Sequence, residues 1–184
     1  MHIPAIRSLF MALAVVLSVV ISAPAAADSK ADLERTSRAA LSKLVAKVPA
    51  AKALNEKAVA VLVFPSITKA GFVVGGQYGE GVLWRGGKAV GYYSTAGASY
   101  GLQAGAQKYG YAMFLMNENA LNALTTAEGF EVGVGPSVVL VDEGMAKSVT
   151  TTTAQNDIYA FIFGQTGLMA GVGIQGNKIT RLVK

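Results

Sequence analysis

Between residues 28 and 48 the apolar positions recur at helical spacing. Leu33, Ala40, Leu41, Leu44, Val45 and Val48 fall on one face, which predicts an amphipathic helix. Arg35 and Arg38 lie well away from that stripe, with Lys43 and Lys47 nearer its edge. Pro49 stops the helix, and residues 50–58 read as a second short helix carrying Lys52 and Lys57. The period then changes. Residues 59–64 form an apolar, β-branched run closed by Pro65, which reads as a buried strand. Over residues 70–84, Phe72, Val74, Tyr78, Val82 and Trp84 share one parity, with Glu80 the exception, and Gly75, Gly79 and Gly81 share the other. Gly86-Gly87 is a two-residue hairpin signal, so residues 88–93 should return as a strand. Residues 96–116 alternate small residues with Tyr100, Tyr109, Tyr111 and Phe114. Residues 117–126 read as a short helix with Gly129 just beyond its end. Further strands are expected at 130–134, 137–141, 149–153, 158–163, 168–174 and 178–182.

Composition sharpens this division. All 21 glycines lie between Gly71 and Gly176, and the first seventy residues contain none. Glycine in strands permits close backbone approach and sharp curvature. The expected fold is therefore α+β: two N-terminal helices packed on a Gly-rich, mostly antiparallel sheet that is strongly coiled or partly closed. The same division places the basic residues mainly on the helices and leaves the sheet nearly uncharged.

The first 27 residues have the layout of a secretory signal peptide. Arg7 precedes an apolar run from Leu9 to Ile21, and Ala25-Ala26-Ala27 supplies the small residues of a cleavage site. The run is short of the ~20 apolar residues of a spanning helix, and Pro24 follows it. Residues 28–184 then form one domain, with a basic helical segment at 28–58 and a β-rich body at 59–184. Arg7 is the one charge in the leader, so its loss lowers the net charge from +5 to +4.

That modest charge on an exported chain argues against nucleic acid as a partner. There is no cysteine, which excludes disulfides and thiolate metal sites, and the one histidine, His2, goes with the leader. A mature chain without His or Cys cannot run a Ser-His-Asp or Cys-His mechanism. It also lacks the usual zinc and copper ligands.

Three motifs tempt an enzymatic reading. Ser66-Ile67-Thr68-Lys69 has the Ser-x-x-Lys spacing of penicillin-recognising enzymes, yet no Ser-Asp-Asn or Lys-Thr-Gly follows. Residues 171–176 match a dinucleotide fingerprint, but only eight residues remain, none acidic, where that motif needs a helix, a strand and an acid. Asp142-Glu143 and Glu128/Glu131 are carboxylate pairs beside glycines, which read as solvated turns. An outer-membrane barrel is disfavoured because residues 138–141 and 159–163 are apolar on both parities, so both faces of those strands are covered. No catalytic residue and no cofactor is expected.

Val61-Leu62-Val63-Phe64-Pro65, then residues 69–76 and Gly79-Glu80-Gly81-Val82-Leu83, resemble the core signature of the SYLF domain family. Tyr92-Tyr93-Ser94, residues 101–105, Val134-Gly135-Pro136 and Ile158-Tyr159-Ala160-Phe161 continue it in order, from about Leu33 to the C-terminus. The resemblance implies a lipid-binding module, since relatives bind phosphoinositides through a basic amphipathic N-terminal segment and some bind actin. By that resemblance the helix carrying Arg35, Arg38, Lys43 and Lys47 faces the headgroups, with Lys69 as a further contact. Bacterial members are often exported, and an exported chain meets neither actin nor phosphoinositides as a rule. The expected ligand is therefore an anionic phospholipid membrane surface, met in the periplasm or after secretion. The alternative is a protein-interaction or structural module of the cell envelope with a protein partner.

Overall fold

A computed structural model describes residues 29–126, 130–131, 137–141, 155–167 and 177–184. The expected leader, the strands at 149–153 and 168–174, and Glu128, Asp142 and Glu143 lie outside these residues. Helix α1 spans Lys30–Lys47, and Ser29 caps it by accepting the Asp32 backbone N–H at 3.2 Å. Helix α2, Pro49–Lys57, follows after one residue. Pro49 both stops the first helix and opens the second, because the first turn of a helix has no use for the N–H that proline lacks.

Strands β1 (Ala60–Arg85, 26 residues) and β2 (Lys88–Leu115, 28 residues) make one long antiparallel hairpin. Gly86 and Gly87 close it at φ +56° and +76°, the paired positive values that a two-residue hairpin turn needs. The sequence suggested two strands on each side, the first ended by Pro65. Instead the strand runs through. A register shift between Phe64 and Ile67 leaves Pro65 and Ser66 outside the Cα pairing, so a bulge absorbs the missing N–H.

The other edge of β2 is shared by two strands. Strand β5 (Ile158–Gly167) pairs with residues 107–115, and β6 (Lys178–Leu182) with residues 92–96. Between α3 (Glu118–Thr126) and β5 come β3 (Phe130–Glu131), paired with β6, and β4 (Val138–Leu140), parallel to β5. Among the described residues the sheet has six strands, ordered β3-β6-β2-β5-β4, with β1 on β2.

The sheet curls because β1 bends back on itself. A Cβ on Gly79 would stand 2.7 Å from the Ile67 side chain and 2.8 Å from the Ser66 carbonyl oxygen. Strand residues a dozen or more positions apart therefore approach to backbone contact, which only glycine allows. This fulfils the expected α+β architecture with a strongly coiled sheet.

Both faces are covered. Leu62, Phe64, Ile67, Leu83, Tyr111 and Met113 form the inner core of the curl, joined by Leu121 and Leu124 of α3. Val61, Val63, Val82, Trp84, Phe114 and Phe161 form the opposite face, onto which α1 and α2 press Leu33, Leu44 and Leu54. Each fully buried leucine contributes about 2 kcal/mol by removal of apolar surface from water. Strand β5 is apolar on both parities for this reason: Ile158 and Ala160 face the inner core, Tyr159 and Phe161 the helices. Among the described residues no helix is long and apolar enough to cross a membrane.

Candidate functional site

Docking of α1 fixes where its cations stand. Ser37, fully buried on the helix, accepts the Trp84 indole N–H at 2.9 Å. Arg38 lies over the Trp84 ring, 4.3 Å from its centroid, and donates to the Gly87 carbonyl at 3.1 Å. The helix is thus tied both to the sheet face and to the hairpin tip. One turn earlier, the Tyr92 hydroxyl donates to Glu34 and Lys30 stands 5.3 Å over the Tyr92 ring. Arg35 faces solvent and pairs with Asp32 at 3.3 Å. The Ser29 hydroxyl and the Arg35 guanidinium hold the Asp32 carboxyl below its usual range.

Lys43 and Lys47, one helical turn apart, stand at the edge of the buried stripe and line a cleft of about 600 Å³ between α1 and the sheet. Lys108 of β2 joins them from the opposite wall. These three ammonium groups are exposed, as are Ser66 and Thr166 beside them. The interior is apolar: Leu44 is buried, and Val48, Pro65 and Phe163 are half-buried. The Phe163 ring lies against Gly110, where a Cβ would stand 2.2 Å from a ring carbon. Among the described residues no Asp or Glu lines this cleft. Three like charges around an apolar hollow form an anion-attracting site, because no described carboxylate in the lining cancels their field.

The five residues singled out from sequence do not form one site. Lys43 and Lys47 share the cleft. Arg38 occupies the other flank of α1, in a cavity of about 360 Å³ with Leu41, Val45 and Trp84. Arg35 points away from both. Lys69 corrects the expectation of a surface contact. It is 7% exposed, on the inner side of the curl opposite Gln107, where it cannot meet a headgroup on the helix side. Nor is the sheet nearly uncharged, since the hairpin carries Lys69, Arg85, Lys88 and Lys108. Lys108 was missed because its neighbours in the cleft are distant in sequence. The one signal for it was alternation, which puts Gln107 and Tyr109 inward and therefore Lys108 outward.

The inner side of the curl is polar beyond Lys69. The Tyr109 hydroxyl donates to Gln77 Oε1 at 2.9 Å, and Gln77 Nε2 donates to Asn177 Oδ1. Burial pushes the Tyr109 phenol up to about 12 and the Tyr111 phenol higher still. Among the described residues no group of three His, Cys, Asp or Glu side chains is placed to hold a metal ion.

Residues 96–182 match the family model Ysc84, described as Las17-binding protein actin regulator. Over this stretch the chain is similar to the Ysc84, or SYLF, family. The SYLF match begins within β2 and runs through β6, so it contains Lys108, Phe163 and Thr166 of the cleft, while Lys43 and Lys47 precede it. No curated protein matches the chain.

Proposed function

We propose that this protein is a non-catalytic lipid-binding module that docks on anionic phospholipid at a membrane surface of the cell envelope. The observation that carries the reading is the grouping of Lys43, Lys47 and Lys108 around one cleft with no acid among its described lining residues. Each Lys or Arg near an anionic membrane contributes about 1 kcal/mol. Arg35 and the exposed Lys52 and Lys57 extend the positive surface along the two helices. Similarity to the SYLF family supports the reading, as do the leader-like first 27 residues, which would deliver the chain to the periplasm or the exterior as a peripheral membrane protein.

Co-sedimentation of the purified protein with neutral and anionic vesicles, at low and high salt, tests it. Binding to anionic vesicles alone, lost as salt shortens the Debye length below about 8 Å, is the expected result. Binding that ignores both charge and salt would sink the electrostatic mechanism. A second reading, a protein-interaction module of the envelope, draws on Val74, Tyr78 and Val90, which are about half exposed on the hairpin. It predicts tight capture of a protein partner with no response to vesicles.

A further inference from the structure

A surface that only attracts a membrane needs cations and nothing else. This cleft has a second property. Every charged side chain of its lining is exposed, beside Ser66, Thr166 and the small Ala39 and Gly164, while Leu44, Val48, Pro65 and Phe163 are buried or half-buried. The three lysines thus stand toward solvent, and the four apolar side chains stand where water is largely excluded. The order of chemistry from outside to inside is that of an amphiphile: anion first, chain after. The volume, about 600 Å³, lies within the range of sites that enclose a small molecule. It is also built by the fold. Pro65 and Ser66 reach it because the β1 bulge takes them out of register, and Phe163 reaches it because Gly110 has no side chain.

We propose that the cleft takes a single anionic lipid molecule, its headgroup on Lys43, Lys47 and Lys108 and one acyl chain laid inward over Leu44, Val48, Pro65 and Phe163. The inference rests on the membrane reading for the source of the lipid. It goes further in making the protein a one-to-one binder of a lipid lifted from the surface, where adsorption to a bilayer leaves every chain in the membrane.

The test is native mass spectrometry and titration calorimetry of the full chain with three probes. These are lysophosphatidylglycerol below its micelle concentration, lysophosphatidylcholine, and glycerol phosphate. Lysophosphatidylglycerol should bind one-to-one and at least about tenfold tighter than either control, since the first control lacks the net charge and the second the chain. Equal binding of glycerol phosphate would make this an anion site with no chain, and equal binding of lysophosphatidylcholine would make it an apolar groove with no headgroup recognition. Either overturns the proposal.

Two variants locate the site. Thr166 is exposed and pairs with Lys108 across the strands, so Thr166→Trp fills the mouth without changing charge. It should weaken lysophosphatidylglycerol binding by about tenfold, and by more than it weakens low-salt vesicle binding. Lys108→Glu should weaken both. Unchanged lysophosphatidylglycerol binding in both variants, each checked for native circular dichroism, would place the lipid elsewhere. Vesicle binding without uptake of the monomeric lipid defeats this inference and spares the membrane reading. Uptake without vesicle binding does the reverse.

Discussion

Gly81 lies directly against Phe64. A β-carbon on Gly81 would stand 2.6 Å from the Phe64 ring and 2.6 Å from the Val63 carbonyl oxygen. The ring could rotate away, but the backbone carbonyl cannot, because it belongs to the same sheet. Gly81→Ala is therefore expected to destabilise the protein by about 2–3 kcal/mol through overpacking. Chemical denaturation should show a lower midpoint at unchanged slope. Gly87→Ala is the control: nothing lies within 4 Å of it, so any cost there comes from its positive φ alone.

Helix α1 is held by one buried polar contact as well as by its leucines. Ser37→Ala would leave the Trp84 indole N–H buried without an acceptor, a loss of about 1–3 kcal/mol. The loss should be local. Hydrogen exchange of residues in α1 is expected to rise more than that of β2, which keeps its partners on both edges. Equal acceleration throughout would show that the helix and sheet open only together.

The cations should divide into two classes on anionic vesicles. Lys43→Glu, Lys47→Glu and Lys108→Glu each reverse a charge at the cleft, and each should weaken binding about tenfold or more at low salt. Lys69→Gln should change vesicle binding little, because that side chain is buried on the inner side of the curl. A co-sedimentation series across these four variants separates the classes. A loss with Lys69→Gln matching that with Lys108→Glu, in proteins that remain folded, would return Lys69 to the binding surface.

Alkali should unfold the protein from its tyrosines. Burial raises the Tyr109 phenol to about 12, and burial with the Glu34 contact does the same for Tyr92, from an ordinary value of 10.0. A raised folded value favours the neutral phenol. Its stabilising contribution is therefore whole below pH 10 and declines as pH climbs through the interval up to about 12, where the unfolded chain has lost protons that the folded one retains. Phenolate absorbance followed beside far-ultraviolet circular dichroism should show late-titrating tyrosines ionising with loss of structure. Tyr109→Phe should remove part of the alkaline decline, at the cost of the bond to Gln77.

Local sequence determined the elements and much of the sheet's shape. The helical stripe of Leu33, Leu44 and Val48 set the buried face of α1 and left Lys43 and Lys47 at its edge, because side-chain direction in a helix follows from spacing alone. The glycines at 79 and 81, sharing one parity, marked where strands would meet closely. The fate of Lys69 was decided only by tertiary structure. Leu62 and Phe64 face inward on even positions, and the bulge at Pro65 and Ser66 shifts the alternation so that Ile67, and Lys69 after it, face inward on odd ones. A one-residue change of register turns every following side chain to the other face. Strand alternation could not announce that shift, since Pro65 reads equally well as a strand end. The cleft, too, exists only in three dimensions. Lys108 meets Lys43 and Lys47 because β2 pairs with β1 on one edge and β5 on the other while α1 lies across them. Spacing along the chain carries the chemistry of each lysine. Which lysines share a field is set by long-range register and helix docking, which have no local code.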